Sequence, residues 1–237
     1  MTVDSQKLDQ LLDRAVGDLS AGYGGVMISI GQKLGLFQGM AGAGPLSSQE
    51  LASRVGCDER YVREWLNAKV AGQYVCYHPS SQTYELTEEQ EIVFANDNSP
   101  VFIPPAWQVV SSMWFDEEKV LSAFKTGEGV SWGDHDERLY CGVAEFCRNA
   151  YRDSSVSEWL PALNMGIQKF QAGINVADIG CGHGHSTVLM AEAFPISRFW
   201  GFDTHEDSIH AAREIAREAG VNDRVKFEVY DAQLSEQ

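Results

Sequence analysis

Residues 176–184 read Val176-Ala177-Asp178-Ile179-Gly180-Cys181-Gly182-His183-Gly184, and this stretch decides the fold of the last third of the chain. An apolar lead-in and an acid precede three glycines at alternate positions, and residues 186–193 have the pattern of an amphipathic helix. A strand, a glycine-rich turn and a helix bring backbone N–H groups close to a nucleotide-like ligand, because glycine adopts φ > 0 and carries no Cβ. The stretch therefore predicts a cofactor-binding loop.

Strand and helix patterns alternate along the chain from Gly173 onward. Such alternation predicts an α/β fold with a doubly wound parallel sheet and right-handed crossovers. The predicted elements are strands at 174–179, 198–202 and 225–229 and helices at 186–193 and 208–219.

Three acids occur where these predicted strands end, which is the edge where ligands bind in parallel sheets. Asp178 precedes the glycines. Asp203 follows the second strand, 19 residues after Gly184, at the place where an acid accepts ribose hydroxyls. Asp231 follows the third strand and is placed to accept the exocyclic amine of an adenine. Two of these acids also have a simpler interpretation: Asp203 as the cap of the turn at Thr204, and Asp231 as a solvated loop carboxylate.

Glycine spacing discriminates between cofactors. A nicotinamide or flavin site favours G-x-G-x-x-G, which needs a small residue where this chain has His185. The pattern D-x-G-x-G-x-G instead resembles motif I of the class I S-adenosylmethionine-dependent methyltransferases, and the likeness extends to residues 201–203 and 230–232.

This resemblance implies S-adenosylmethionine as the cofactor, with the glycines near its methionine part, one acid at the ribose and another at the adenine. It implies no metal. His135, His183 and His185 are candidates for a general base, although a lone histidine is more often structural, so no catalytic residue is assigned. The cofactor-binding residues that follow are Asp178, Gly180, Gly182, Gly184, Asp203, Thr204, Asp231 and Ala232.

Residues 45–86 predict a winged helix. A helix capped by Ser47 or Ser48 ends at Gly56, and a second, capped by Asp58, runs to Val70 with Tyr61 among its inward-facing residues. A hairpin follows. Winged helices often bind DNA, but the charges of the second helix balance, and residues 1–100, 101–165 and 166–237 carry net charges of −6, −5 and −5. Because such acidity repels phosphate, a scaffold or dimerisation role is preferred over DNA binding.

Two further regions complete the chain. Residues 4–20 predict a helix with an apolar stripe that packs inside the chain or against another subunit, and a second helix follows the glycines at 22–25. Residues 101–165 predict an aromatic, helical linker, in which the loop at 126–135 lines a substrate pocket or joins the core. The predicted helices of the linker are 106–114, 116–125, 137–152 and 155–164.

The whole pattern resembles the methyltransferases with an N-terminal winged-helix domain. It predicts three regions: a winged-helix and dimerisation domain at 1–100, the linker at 101–165 and a partial cofactor domain at 166–237. The family's sheet has seven strands in the order 3-2-1-4-5-7-6, and this chain supplies the first three. The expectation is a C-terminally incomplete chain in which the strand at 174–179 has an exposed edge.

Composition limits location and partners. No apolar run of 18 residues or signal peptide occurs, and the five cysteines form no C-x-x-C pair, which predicts free thiols in a reducing cytoplasm. The predicted function is S-adenosylmethionine-dependent methylation of a small-molecule acceptor, without nucleic acid or membrane partners and with possible homodimerisation. The alternatives are a winged-helix DNA-binding regulator and a non-catalytic dimerisation protein with a vestigial cofactor domain.

Overall fold

The chain consists of two structural units, and the boundary between them lies between Trp107 and Gln108. The computed structural model describes residues 3–163 and 166–231. The domain limits given above remain predictions.

The first unit contains a winged helix. The second helix of the motif, α4, follows α3 through a turn at Gly56, whose φ of 68° ends α3 as expected. Ser47 caps α3 in a reciprocal box, because its hydroxyl accepts from Glu50 N and its own N–H donates to the Glu50 carboxylate at 2.7 Å. The elements are α1 (Ser5–Lys33), α2 (Leu36–Met40), α3 (Ser48–Val55), α4 (Glu59–Ala71), β1 (Cys76–His78), β2 (Thr83–Glu85) and α5 (Glu88–Phe94).

The expected break at residues 22–25 is wrong, because α1 continues through these glycines. A Cβ added at Gly25 would overlap the indole ring of Trp107, and one added at Gly31 would lie 2.5 Å from Trp65. Glycine at these two positions therefore allows close packing of large rings against the helix. Its helix-breaking tendency, about 1 kcal/mol relative to alanine, is outweighed.

One other expectation for this unit is wrong. Tyr61, predicted to face inward, is 78% exposed on α4, whereas Trp65 is buried. The helix α5, for which no prediction was made from the sequence, begins with a capping box between Thr87 and Gln90. In the core the ring of Phe37 meets Trp65 edge to face and stacks on Phe94, with ring centroids 4.8 and 5.2 Å apart.

The helix at Ala106–Phe115 spans the boundary between the two units, and the second unit continues with further helices and ends with a parallel sheet. The predicted helix at 155–164 is a single π-helical turn, Ser155–Trp159. An additional helix, α9, precedes the first strand of the sheet. The elements are α6 (Ala106–Phe115), α7 (Glu117–Thr126), a 3-10 turn (Trp132–Asp134), α8 (Glu137–Ser154), α9 (Ile167–Ala172), β3 (Asn175–Ile179), α10 (His185–Ala193), β4 (Arg198–Asp203), α11 (Glu206–Glu218) and β5 (Val225–Val229).

The sheet has the strand order β3-β4-β5, and both pairings are parallel as predicted. Phe199 and Ile209 are fully buried and Phe227 is nearly so, which fixes α11 against the sheet. Within the described residues β3 pairs with β4 alone, so its other edge is free and Ile179 is 60% exposed.

All five cysteines are free thiols. In the part of the chain that the structure describes, no helix combines the length and the apolar composition needed to cross a membrane.

Candidate functional site

A cavity of about 470 Å³ opens at the carboxyl end of the sheet in the second unit. This is the edge at which ligands bind in parallel sheets. The residues of its lining are Trp132, Tyr140, Val143, Ala144, Cys147, Tyr151, Ile179, Gly180, Cys181, Gly182, His183, His185, Phe202, Asp203, Thr204, Ser208, Tyr230 and Asp231.

The first two glycines of the loop form part of this lining. Gly180 and Gly182 have φ values of 73° and 52°, and a Cβ at either position would meet nothing within 4 Å. The loop is tied to the sheet because the N–H groups of Gly180 and Cys181 both donate to Phe202 O, at 2.8 and 3.0 Å. The positive φ values favour glycine, and the open space beside the two residues leaves the backbone accessible to a ligand.

The third glycine serves packing. Gly184, with φ 74°, caps α10, and an added Cβ would lie 2.6 Å from Phe227 and 2.9 Å from Ala212. Gly184 is buried and does not line the cavity. Its contact with a cofactor remains a prediction that its position does not support.

Asp203 lies at the end of β4 and joins the glycine loop to α11. Its Oδ2 accepts from Gly182 N and its Oδ1 from His205 N, both at 2.9 Å. Each carboxylate oxygen keeps a lone pair for another donor. The two backbone bonds therefore hold the carboxylate at the cavity in a fixed orientation and leave it able to accept ligand hydroxyls.

Asp178 has different partners. Its Oδ2 accepts from Ser186 Oγ at 2.9 Å and from Thr187 Oγ1 at 2.6 Å, and it does not line the cavity. It ties the end of β3 to the first turn of α10. The remaining predicted residues divide as follows: Thr204 and Asp231 line the cavity, and Ala232 lies outside the described residues.

The histidines proposed as bases also differ in placement. His183 and His185 line the cavity. Burial and the neighbouring His205 lower the pKa of His183, and burial, with His183 and Arg148, lowers the pKa of His185 to about 4. Both imidazoles are therefore neutral near pH 7, and His185 is a weak base.

His135 does not line the cavity and is bound to a buried carboxylate. Its Nδ1 lies 2.8 Å from Asp116 Oδ2, and Lys119 Nζ lies 2.9 Å from Asp116 Oδ1. Burial alone would raise the pKa of Asp116, but hydrogen bonds from Lys119, Asp136 N and His135 lower it to about 2. This cluster anchors the end of the loop at 126–135, and Trp132 of the same loop lines the cavity.

Cys181 is unsuited to act as a nucleophile. Burial, with the nearby Asp178 and Asp203, raises the pKa of its thiol to about 12, and the thiolate is the reactive form. Within the described residues no cluster of three His, Cys, Asp or Glu side chains is arranged to hold a metal ion.

One wall of the cavity was not identified from the sequence. It consists of Tyr140, Val143, Cys147 and Tyr151, which follow one face of α8 at spacings of three and four residues. That spacing was a visible signal of a helical face. The sequence does not show whether such a face meets a core or a cavity.

The charge of the lining favours a cationic ligand. Asp203 and Asp231 contribute carboxylates, and among the described residues the lining contains no lysine or arginine. With neutral His183 and His185, the side chains of the lining carry a net negative charge. Such a cavity suits a positively charged group better than a free phosphate.

Comparison with protein families gives two matches, one near each end of the chain. Residues 22–95 match the family described as the Rv2258c-like winged HTH domain, and residues 170–237 match a methyltransferase domain. The chain thus combines a winged helix-turn-helix domain with a Rossmann-like methyltransferase domain. A search of curated protein sequences finds no match.

Solved structures share this fold at low sequence identity. An O-methyltransferase family protein from Burkholderia thailandensis matches with a TM-score of 0.63 and 16% identity over 98% of this chain and 65% of its own. The mitomycin 7-O-methyltransferase MmcR matches with a TM-score of 0.67 and 18% identity, over 95% of this chain and 68% of its own. Human N-acetylserotonin methyltransferase in complex with SAM matches with a TM-score of 0.60 and 14% identity, over 98% of this chain and 68% of its own. The chain spans less than two thirds of the length of the Burkholderia protein.

Proposed function

We propose that the chain is an S-adenosylmethionine-dependent methyltransferase that acts on a hydroxyl group of a small molecule. The observation that carries the proposal is the hydrogen bond from Gly182 N to Asp203 Oδ2, which joins the glycine loop to the acid at the end of β4 inside a negative cavity. The acceptor class is taken from the structural neighbours described as O-methyltransferases.

The residues present fit this cofactor. Gly180 and Gly182 leave open backbone beside the cavity, Asp203 has lone pairs for two ribose hydroxyls, and Asp231 is placed for an adenine amine. We therefore assign these four residues, with Thr204, to cofactor binding. Asp178 and Gly184 would support the loop from behind, through the first turn of α10 and through Phe227.

When bound, S-adenosylmethionine supplies a methyl group on a sulfonium. The task of the protein is alignment and exclusion of water, since holding reactants in place removes much of the entropic barrier. Tyr140, Tyr151 and Trp132 provide an apolar wall for this purpose. The neutral His183 and His185 add no positive charge that would repel a sulfonium. No residue is assigned as the general base.

We further propose that the N-terminal part of α1 pairs with a second copy of the chain. The first four turns of α1 are exposed, including Leu8, Leu11, Leu12, Val16 and Leu19, which share one face. An isolated helix of this kind is only marginally stable in water, and a second copy offers an identical apolar face in an isologous interface.

The DNA-binding alternative is not favoured. Of the three basic residues of α4, Lys69 is 1% exposed and adds no charge to the outer surface of the helix, and Arg63 lies 3.6 Å from Glu59. The remaining charge of the helix does not supply the basic surface that DNA binding requires.

Formation of S-adenosylhomocysteine from S-adenosylmethionine, measured with a panel of small phenols, tests the proposed activity. At least one phenol should stimulate its release, and Asp203→Ala should reduce the stimulation. Release that no phenol stimulates, or that Asp203→Ala leaves unchanged, would contradict the proposal.

The molar mass in solution, measured by light scattering, tests the pairing of α1. The double variant Leu12→Glu with Leu19→Glu should be a monomer, whereas Gln10→Glu, on the opposite face of the helix, should remain paired.

A further inference from the structure

A second cavity lies within the first unit. It encloses about 600 Å³ beside the residues of α1 around Gly24 and the last turn of α4. Tyr23, Met27, Tyr74 and Trp107 supply apolar and aromatic surface to its lining. The cavity lies in the winged-helix unit and shares no residue with the site described above.

The charge of this cavity comes from one buried lysine. Lys69 is 1% exposed and is the sole formally charged side chain of the lining within the described residues. Its Nζ donates to Gly24 O at 2.9 Å and lies 5.4 Å from the centroid of the Tyr74 ring. An ammonium has three N–H donors, so this one carbonyl leaves donors available to a ligand.

No carboxylate of the described chain lies within 4.0 Å of Lys69 Nζ. A buried charge without a counter-ion is costly, and an apolar side chain such as methionine would fill the same space without that cost. Burial lowers the pKa of Lys69 to about 8, because it disfavours the charged ammonium.

The surroundings of Lys69 define the chemistry of a ligand that would compensate it. A carboxylate would satisfy the ammonium, and a flat apolar body would fit against the rings of Tyr74 and Trp107. A bound phosphate would supply the charge but would leave the apolar surface of the lining uncovered.

We propose that this cavity binds a small aromatic carboxylate, with its carboxylate on Lys69 Nζ and its ring against Tyr74 and Trp107. The winged-helix unit then has a ligand of its own, distinct from the cofactor and the methyl acceptor.

Calorimetric titration of the full chain with 2-naphthoate tests the proposal, with neutral 2-naphthamide as the matched ligand. We expect 2-naphthoate to bind and 2-naphthamide to bind roughly tenfold or more weakly, since a hydrogen bond between charged partners is lost. Lys69→Met should weaken the binding of 2-naphthoate to the same extent, whereas Lys33→Met, at an exposed site of α1, should leave that binding unchanged.

A second variant, Ala21→Trp, tests the proposal even if Lys69→Met does not fold. Ala21 is exposed and lines the cavity, so Ala21→Trp should fill it from the solvent side and abolish binding. Absence of 2-naphthoate binding to the wild-type chain at millimolar concentration would overturn the proposal. So would equal affinities for the acid and the amide, or binding that Ala21→Trp leaves unchanged.

Discussion

The carboxylate of Asp203 and the backbone N–H of Gly182 are joined by a hydrogen bond of 2.9 Å, across the 21 residues that separate them in sequence. This bond connects the end of β4 to the turn that follows β3. It holds the glycine loop and the acid beside one cavity, so that both can contact one ligand.

Loss of the Asp203 carboxylate should weaken the binding of the cofactor. We expect Asp203→Ala to reduce the affinity for S-adenosylhomocysteine by about 1.5–3 kcal/mol, because charge-assisted hydrogen bonds to the ribose are lost. Calorimetric titration measures the effect. Asp223→Ala is the matched control, since Asp223 is an exposed carboxylate just before β5, at the opposite end of that strand from the cavity. An unchanged affinity in Asp203→Ala would remove Asp203 from the site.

The glycines of the loop should separate into two classes when each is replaced by alanine. Gly182→Ala carries the strain of a left-handed φ, about 1–2 kcal/mol. Gly184→Ala carries the same strain and also overlaps Phe227 and Ala212, so it should lose roughly a further 1–3 kcal/mol of unfolding free energy. Urea denaturation compares the two. Equal losses would show that Gly184 is not a packing glycine.

The contribution of Asp116 to the free energy of unfolding should depend on pH. Asp116→Asn should lower the unfolding free energy at pH 7 by about 2 kcal/mol, because Lys119 and His135 lose a charged partner. The pKa of Asp116 is lowered in the folded state to about 2 from an ordinary 3.8, so its contribution is present above pH 4 and is lost as pH falls toward 2. Denaturation of both proteins between pH 2 and 7 should show the difference narrowing below pH 4. A constant difference would contradict the assignment.

Lys69 should destabilise the fold near pH 7, and this cost should fall as the pH rises through the titration range of its ammonium. Its pKa is lowered in the folded state to about 8 from 10.5, so between these values the unfolded chain binds more protons and stability rises with pH. Lys69→Met should therefore be more stable than the wild type at pH 7, by up to about 3 kcal/mol. The advantage should shrink between pH 8 and 10.5 in thermal denaturation. If Lys69→Met were less stable at pH 7, the Gly24 bond would outweigh the cost of burial.

Local signals in the sequence were sufficient for much of this fold. The capping residues Ser47 and Asp58 and the turn at Gly56 define the winged helix, and alternation after Gly173 defines the parallel sheet. Each of these features depends on neighbours within a few residues, which a sequence displays directly.

The features that sequence did not reveal depend on distant partners. Gly25 reads as a helix end unless the ring of Trp107 is known to pack on it, and Gly184 reads as a ligand contact unless Phe227 is seen behind it. The same applies to Asp178, whose partners Ser186 and Thr187 lie on the next helix. Tertiary packing decides these roles.

Equilibrium binding of S-adenosylmethionine to the folded chain, with NADH and ATP titrated in parallel, tests the proposed cofactor most directly. The expected result is one-to-one binding of S-adenosylmethionine, with no measurable heat from NADH or ATP, because the lining is negative and His185 stands where a dinucleotide loop needs a small residue. Binding of NADH or ATP in preference to S-adenosylmethionine, or no binding of S-adenosylmethionine to a chain that circular dichroism shows to be folded, would contradict it.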